Sequence, residues 1–348
     1  MTLVARDVGG SKPLGMLTEL LRNRNRQVYP FLGNGKPIDG LANLPEAVGS
    51  SGVVLCGMSS SQELAQPEIK AMQLAREADT PYAIFADAFD SHSRTWLQEQ
   101  IAGAAAFFVL NEDEAQKARE RFPKLKVVAS GNPVWETFAF PEKTDEEVRL
   151  SFAVQPSMKM VLVVGTKEPI INIALLAGVL ETAAKFGVVR VFFSMHPGDQ
   201  TPVAFYEPLV SWSGGQIQLV PSNVMTGSDM VVGADLVVDS FSTVAIQAGF
   251  LRKPVITYLT ELALVRLELI TGSREWEPIK RGWVVPVCGG DVKTLDGHFK
   301  TLFGDIIQIA GSFVSLKATQ RQDFLAPTCP GQSLQMITST LEALADAH

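Results

Sequence analysis

The sequence predicts an α/β protein of two Rossmann-like domains whose parallel sheets face one another across a cleft. Three observations carry that expectation. The chain has 348 residues, beyond the size at which one hydrophobic core stops growing. Short β-branched runs alternate with amphipathic stretches, the signature of successive βα units. The alternation breaks once, at 132–158, and restarts with the apolar run Lys159-Met160-Val161-Leu162-Val163-Val164-Gly165.

In the first half, strands are expected at 2–6, 27–32, 52–56, 81–85, 105–110 and 126–129, with helical segments at 13–22, 62–77, 95–102 and 112–122. The 62–77 stretch sets Leu64, Ile69, Met72 and Ala75 near one face, an amphipathic spacing. Residues 132–158 hold Gly131-Asn132-Pro133 at their start, then Pro141, Pro156 and the acidic run 142–147. Turn formers and charge without strand periodicity read as an interdomain connection. After the strand at 159–165, further strands are expected at 188–194, 216–220, 235–239, 254–258 and 283–287. Near the end, Leu334, Ile337, Leu341 and Leu344 form a helical stripe whose start Pro327, Pro330 and Gly331 would set. The expected domains are therefore 1–131 and 159–325, joined by 132–158, with a C-terminal helix in 326–348 that packs back towards the first domain.

Hydrophobic residues make up 46% of the chain and charged residues 19%, which excludes a disordered protein. Net charge is −7 with no basic block, the wrong footprint for gripping nucleic acid through its phosphates. Cys56, Cys288 and Cys329 are widely separated and in no CxxC spacing, so they read as reduced thiols of a cytoplasmic protein. With only four histidines and no DxD-type motif, neither a metal nor another cofactor is expected. No basic segment followed by an apolar one marks a signal peptide. No apolar run reaches the roughly 20 residues that span a bilayer, so no integral membrane segment is expected.

Ligands of doubly wound sheets bind beyond the carboxyl ends of the strands, which directs attention to five loops. In Asp7-Val8-Gly9-Gly10-Ser11-Lys12-Pro13, Gly9 and Gly10 permit close backbone approach and Lys12 offers a charge; a glycine-rich turn of purely structural use reads the same way. Gly57-Met58-Ser59-Ser60-Ser61 offers hydroxyls that suit helix capping. Asp87, Asp90 and His92 lie within six residues after a strand, so a carboxylate beside an imidazole could act as a general base, or an Asp could cap the next helix. His196 closes an apolar strand in the second half, where a polar side chain needs a partner. Asp239-Ser240-Phe241-Ser242-Thr243 leads into a helix, where hydroxyls and unpaired N–H groups favour a phosphate, or simply a cap.

Together these elements resemble the GT-B superfamily, specifically UDP-N-acetylglucosamine 2-epimerases and related glycosyltransferases. The segment DLVVDSFSTVAIQAGFLRKP at 235–254 is similar to the family's strand, Asp-Ser turn, helix and Lys-Pro. In the family that turn holds the nucleotide pyrophosphate, which implies Ser240, Ser242 and Thr243 here. The family usually has a glutamate further along for the ribose hydroxyls; this chain has Gln247. Gly131-Asn132-Pro133-Val134 resembles the family's element at the crossing between domains, Asp87 stands near the family's acidic residue, and His196-Pro197 resembles a His-Pro pair of sugar-transferring relatives. In place of the epimerases' histidine-arginine-rich loop the chain has Gly165-Thr166-Lys167-Glu168-Pro169, and their acidic Gly-Leu-Arg motif is missing around Asp87.

The resemblance implies a glycosyltransferase-like protein acting on a nucleotide-activated sugar, UDP-linked, together with an acceptor still to be identified. The second domain would hold the nucleotide through Ser240, Ser242, Thr243 and Gln247, with His196 and Lys167 near the phosphates. The first would hold the acceptor at Gly9, Gly10 and Lys12, with Asp87, Asp90 or His92 as base. The alternatives are an epimerase or hydrolase of nucleotide sugars, or a GT-B-shaped binding protein without chemistry.

Overall fold

The computed structural model describes residues 1–271, 274–303, 313, 316, 319–320 and 329–348. The chain divides into two compact units, Met1–Thr137 with Pro327–His348, and Phe138–Ala326. The boundary expected at 325–326 and the helix-start signal of Pro327 lie outside the described residues.

The first unit carries a six-stranded sheet in the order β2-β1-β3-β4-β5-β6. Its strands are β1 (Thr2–Ala5), β2 (Tyr29–Leu32), β3 (Val54–Cys56), β4 (Tyr82–Phe85), β5 (Ala106–Val109) and β6 (Val127–Ala129), all paired in parallel. Successive side chains leave a strand on opposite faces, and both faces here are covered. Val4, Val54, Ile84 and Phe107 pack with Ala71, Met72 and Ala75 of the Gln66–Glu77 helix. Leu3, Leu55, Phe85 and Phe108 pack with Leu14, Leu17 and Leu21 of the Val8–Asn23 helix. Ile337 and Leu341 of the Gln332–Asp346 helix complete that second face. The start of this C-terminal helix is held by buried Glu136, whose two carboxylate oxygens each accept a backbone N–H, from Gln332 and Ser333, at 2.8 Å.

The second unit repeats the plan with the order β12-β11-β10-β7-β8-β9. Its strands are β7 (Lys159–Val164), β8 (Val189–Ser194), β9 (Ile217–Val220), β10 (Leu236–Asp239), β11 (Val255–Leu259) and β12 (Val285–Cys288), again parallel. Each apolar run picked out in the sequence contains or overlaps one strand. In each sheet the order reverses at the first strand of the unit, between β1 and β3 and between β7 and β10. Such a reversal leaves a crevice outside the carboxyl ends of the two strands. Among the described residues no helix is long and apolar enough to cross a membrane.

Three local expectations are corrected. Gly9, Gly10 and Lys12 are not in a loop: the Val8–Asn23 helix begins directly after Asp7. The glycines are there for packing. A Cβ on Gly10 would lie 3.2 Å from Ala5 Cβ and 3.3 Å from Gly57 Cα, and one on Gly57 would lie 2.9 Å from Ala5 Cβ. Secondly, the helix expected at 62–77 runs from Gln66 to Glu77, because Pro67, lacking an N–H, suits its first turn. Thirdly, 132–158 contains two helices, Pro133–Ala139 and Asp145–Ser151. The acidic run is in part a capping box, with Thr144 and Glu147 bonding each other's backbone N–H.

The glycine contact gives a direct test. Gly57→Ala should lower the unfolding free energy by about 1–3 kcal/mol through overpacking. Gly15→Ala, in the same helix as Gly10 with its nearest neighbour Leu32 Cδ1 at 3.9 Å, should leave it unchanged or raise it by less than about 1 kcal/mol. Urea denaturation of both variants checks this, and equal losses would contradict it.

Candidate functional site

In the second unit, polar groups gather beyond the carboxyl ends of β7, β8 and β10. The register aligns Val163 with Val238 and Val164 with Ser194, so the three following loops leave the sheet side by side. After β7, Thr166 N–H donates to Asn172 Oδ1 at 2.7 Å, and Asn172 Nδ2 donates to the Thr166 carbonyl at 3.0 Å. The same amide donates to the Tyr206 hydroxyl at 3.0 Å and to Asp199 Oδ2 at 3.2 Å. The Tyr206 hydroxyl in turn donates to Asp199 at 2.8 Å. Asn172 and Tyr206 are fully buried. Their network fixes the loop bearing Lys167 against the loop bearing His196.

Those two side chains meet over Gly198, where a Cβ would stand 3.2 Å from both His196 Nδ1 and Lys167 Cε. Gly198 N–H donates to His196 Nδ1 at 2.8 Å, which leaves Nε2 to carry the proton of the neutral ring. Burial, then the charge of Lys167, hold the imidazole below its ordinary pKa. At neutral pH it is therefore an uncharged donor beside an exposed ammonium group, a pair suited to phosphate oxygens.

After β10, fully buried Asp239 organises the turn. Its Oδ2 accepts Ser242 N–H and its Oδ1 accepts the Thr257 hydroxyl, both at 2.8 Å; burial raises the carboxyl to about 7. Ser240 is buried and donates to the Tyr258 carbonyl at 3.2 Å, so its hydroxyl serves the sheet. Ser242 Oγ accepts Val244 N–H at 3.2 Å in the turn that enters the Val244–Phe250 helix, while the N-cap residue Thr243 makes no side-chain capping bond and its side chain is exposed. One turn on, Gln247 Nε2 donates to the Ser228 carbonyl at 2.6 Å.

In the first unit, Asp7 closes the switch point between β1 and β3. Its Oδ2 accepts both the N–H and the hydroxyl of Ser60 at 2.7 Å. Beneath it, buried Glu68 accepts Arg6 N–H at 2.9 Å and the Ser59 hydroxyl at 2.6 Å. Asp87, after β4, presses its carboxylate onto Gly9, where a Cβ would fall 2.0 Å from Oδ2. Arg94 Nη2 stands 3.6 Å from Asp87 Oδ1, and Arg94 Nη1 donates to the carbonyls of Met58 and Ser59. Burial raises the Asp87 carboxyl to about 6; Arg94 opposes the rise and Asp7 adds to it.

Asp90 and His92 gather with Glu114 rather than with Asp87. The carboxylate 3.8 Å from His92 Nδ1 is that of Glu114, and Asp90 lies 3.7 Å from Lys117 Nζ. Asp90, His92 and Glu114 bring ligand atoms within 4.8 Å of one another, and Lys117 Nζ, 3.4 Å from Glu114, already supplies positive charge there. Asp87 thus stands as a separate carboxylate.

Sequence reasoning missed Asn172, Asp199, Tyr206, Asp7, Arg94 and Glu114. Asn172 carried the clearest signal, a lone amide among the apolar residues 169–180, where a buried polar group must be bonded. The remaining ones depend on contacts that no spacing reveals.

No family model matches the sequence, and no curated protein matches it. The fold matches solved GT-B structures over nearly the whole chain. The UDP-GlcNAc 2-epimerase from Neisseria meningitidis, crystallised with UDP-GlcNAc, is 14% identical with a TM-score of 0.56, covering 99% of this chain and 100% of that one. HepE from Anabaena, in complex with UDP, is 13% identical with a TM-score of 0.57 at 99% and 100% coverage. A putative UDP-N-acetylglucosamine 2-epimerase from Listeria monocytogenes is 12% identical with a TM-score of 0.63, covering 100% of this chain and 96% of that one. This is the two-domain α/β class that the sequence resemblance implies.

Asp87 gives the site a pH signature. Its proton is held more tightly in the folded state, so the stability it contributes is present below about pH 4 and lost as pH rises through about 6. Asp87→Asn should therefore raise stability by up to about 3 kcal/mol at pH 8 and change it little at pH 4. Denaturation at the two pH values checks this; a variant less stable at pH 8 would contradict the assignment.

Proposed function

We propose that this protein binds a nucleoside diphosphate sugar, UDP-linked, beyond the carboxyl edge of the second sheet and transfers the sugar to an acceptor hydroxyl. The observation that carries the reading is the pairing of a neutral His196 with Lys167 beside the switch point, on loops adjoining the Ser242–Thr243 turn. Its support is a fold shared with structures solved with UDP and UDP-GlcNAc.

In this reading Lys167 and the His196 Nε2–H bind the diphosphate, and Ser242 and Thr243 add hydroxyls at the helix start. As the glycosidic bond breaks, negative charge grows on the departing diphosphate, where these fixed donors stabilise it. Asp87 is the base that takes the acceptor hydroxyl's proton. A carboxylate with a pKa near 6 is ionised at neutral pH yet basic enough to accept a proton in the transition state. Gly9 serves by leaving Asp87 its place, and Lys12, exposed on the same helix, is a contact for the acceptor.

UDP at about a hundred times its dissociation constant should stabilise the protein by roughly 2.7 kcal/mol, read as a rise in melting temperature. The triple variant Lys167→Ala, Ser242→Ala, Thr243→Ala should lose that shift. Unchanged UDP affinity in the variant would remove the assigned site. Sugar transfer should rise with pH through about 6 as Asp87 ionises, a profile that Asp87→Asn abolishes.

A further inference from the structure

We propose that binding of the diphosphate at the Ser242–Thr243 turn is coupled to uptake of a proton by Asp239, so that the site holds its nucleotide more tightly as pH falls. The inference rests on the nucleotide reading above and adds a pH dependence to it.

Asp239 is fully buried, three residues before Ser242. Both of its partners are uncharged: the Ser242 N–H on Oδ2 and the Thr257 hydroxyl on Oδ1. Ionisation in such a place is costly unless a cation stands beside it. Among the described residues, the surrounding elements put none there. β11 brings Thr257 and Tyr258, whose hydroxyl bonds the Gly290 carbonyl. β7 brings Val163 beside Val238, and the Val244–Phe250 helix has no ionisable residue. On the adjoining loops Glu168 is paired with Arg266, Asp229 bonds Thr226 and Asp199 bonds Tyr206; Lys167 and His196 are the groups assigned to the diphosphate. The Asp239 pKa of about 7 accordingly reflects burial, opposed by its two hydrogen bonds.

The turn accommodates both protonation states. Once Oδ1 carries a proton it can donate to the Thr257 hydroxyl, which accepts as well as donates, and the Ser242 N–H keeps its place on Oδ2. What differs is the charge behind the turn. Two anions on either side of one tight turn repel strongly where water is excluded, so a bound diphosphate raises the carboxyl pKa further. A site whose occupied form binds more protons loses affinity as pH rises.

Calorimetric titration of the full-length protein with UDP-GlcNAc tests this, because a diphosphate esterified at both ends keeps its charge across the range. From about pH 6 to about pH 8 affinity should fall about fivefold, the effect of a rise of about one unit in the carboxyl pKa on binding. Near about pH 7.5 the heat should vary with the ionisation enthalpy of the buffer, reporting uptake of about half a proton. Asp239→Asn should flatten the profile and remove the uptake. Thr257→Val, which takes one bond from the carboxylate, should move the midpoint of the fall to higher pH. His196 cannot produce this profile, because its pKa lies below the ordinary histidine value. Affinity independent of pH, absence of proton uptake, a fall that survives Asp239→Asn, or a midpoint unmoved by Thr257→Val would overturn the inference while leaving the nucleotide site standing. Absence of UDP-GlcNAc binding to the wild-type protein at every pH would overturn both.

Discussion

The constraint on which the rest of this protein depends is that both sheets are apolar on both faces. β4, β5 and β10 are buried at every position, and β7 at all but its first. A parallel sheet of this kind must be covered by helices on each side, which leaves no room for chemistry along the strands. Polar groups are forced to the carboxyl edges, and there they must be satisfied. Asp239 by Ser242 and Thr257, and Asp7 by Ser60, are how this chain meets that requirement.

The same interactions that satisfy these groups fix the loops. Asn172 bonds the backbone of its own loop and reaches Tyr206 and Asp199 in the next stretch of chain. Removing one member of such a buried network leaves the others unpaired, which is why networks of this sort give rigid loops. Rigidity matters to the proposed function because donors aimed in advance at a growing charge need no reorganisation when the bond breaks. Lys167 and His196 are held in this way, although neither belongs to the network itself.

The fold was legible in the sequence because its signal is local. Runs such as 159–165 are too short for a helix and too apolar for a surface, and all twelve strands follow from such runs. The glycines misled for an instructive reason: Gly9 and Gly10 read as loop formers because their conformational freedom is a local property. What selects them is the nearness of Asp87, Ala5 and Gly57, which only the packed helix and sheet create. Candidate site residues divided along the same line. His196 and the Ser242–Thr243 turn stand at strand ends that the sequence marks. The tie between Gln247 and Ser228, the placing of His92 against Glu114 rather than Asp87, and the burial of Ser240 against Tyr258 each depend on partners 18 to 22 positions away.

The central claim is that a nucleotide binds at the carboxyl edge of the second sheet. Hydrogen–deuterium exchange with and without saturating UDP tests it most directly. The account predicts slower exchange in peptides covering 165–169, 195–199 and 240–247, with peptides along β1 and β3 unchanged. UDP that binds without protecting those segments, or that protects the start of the Val8–Asn23 helix instead, would contradict it.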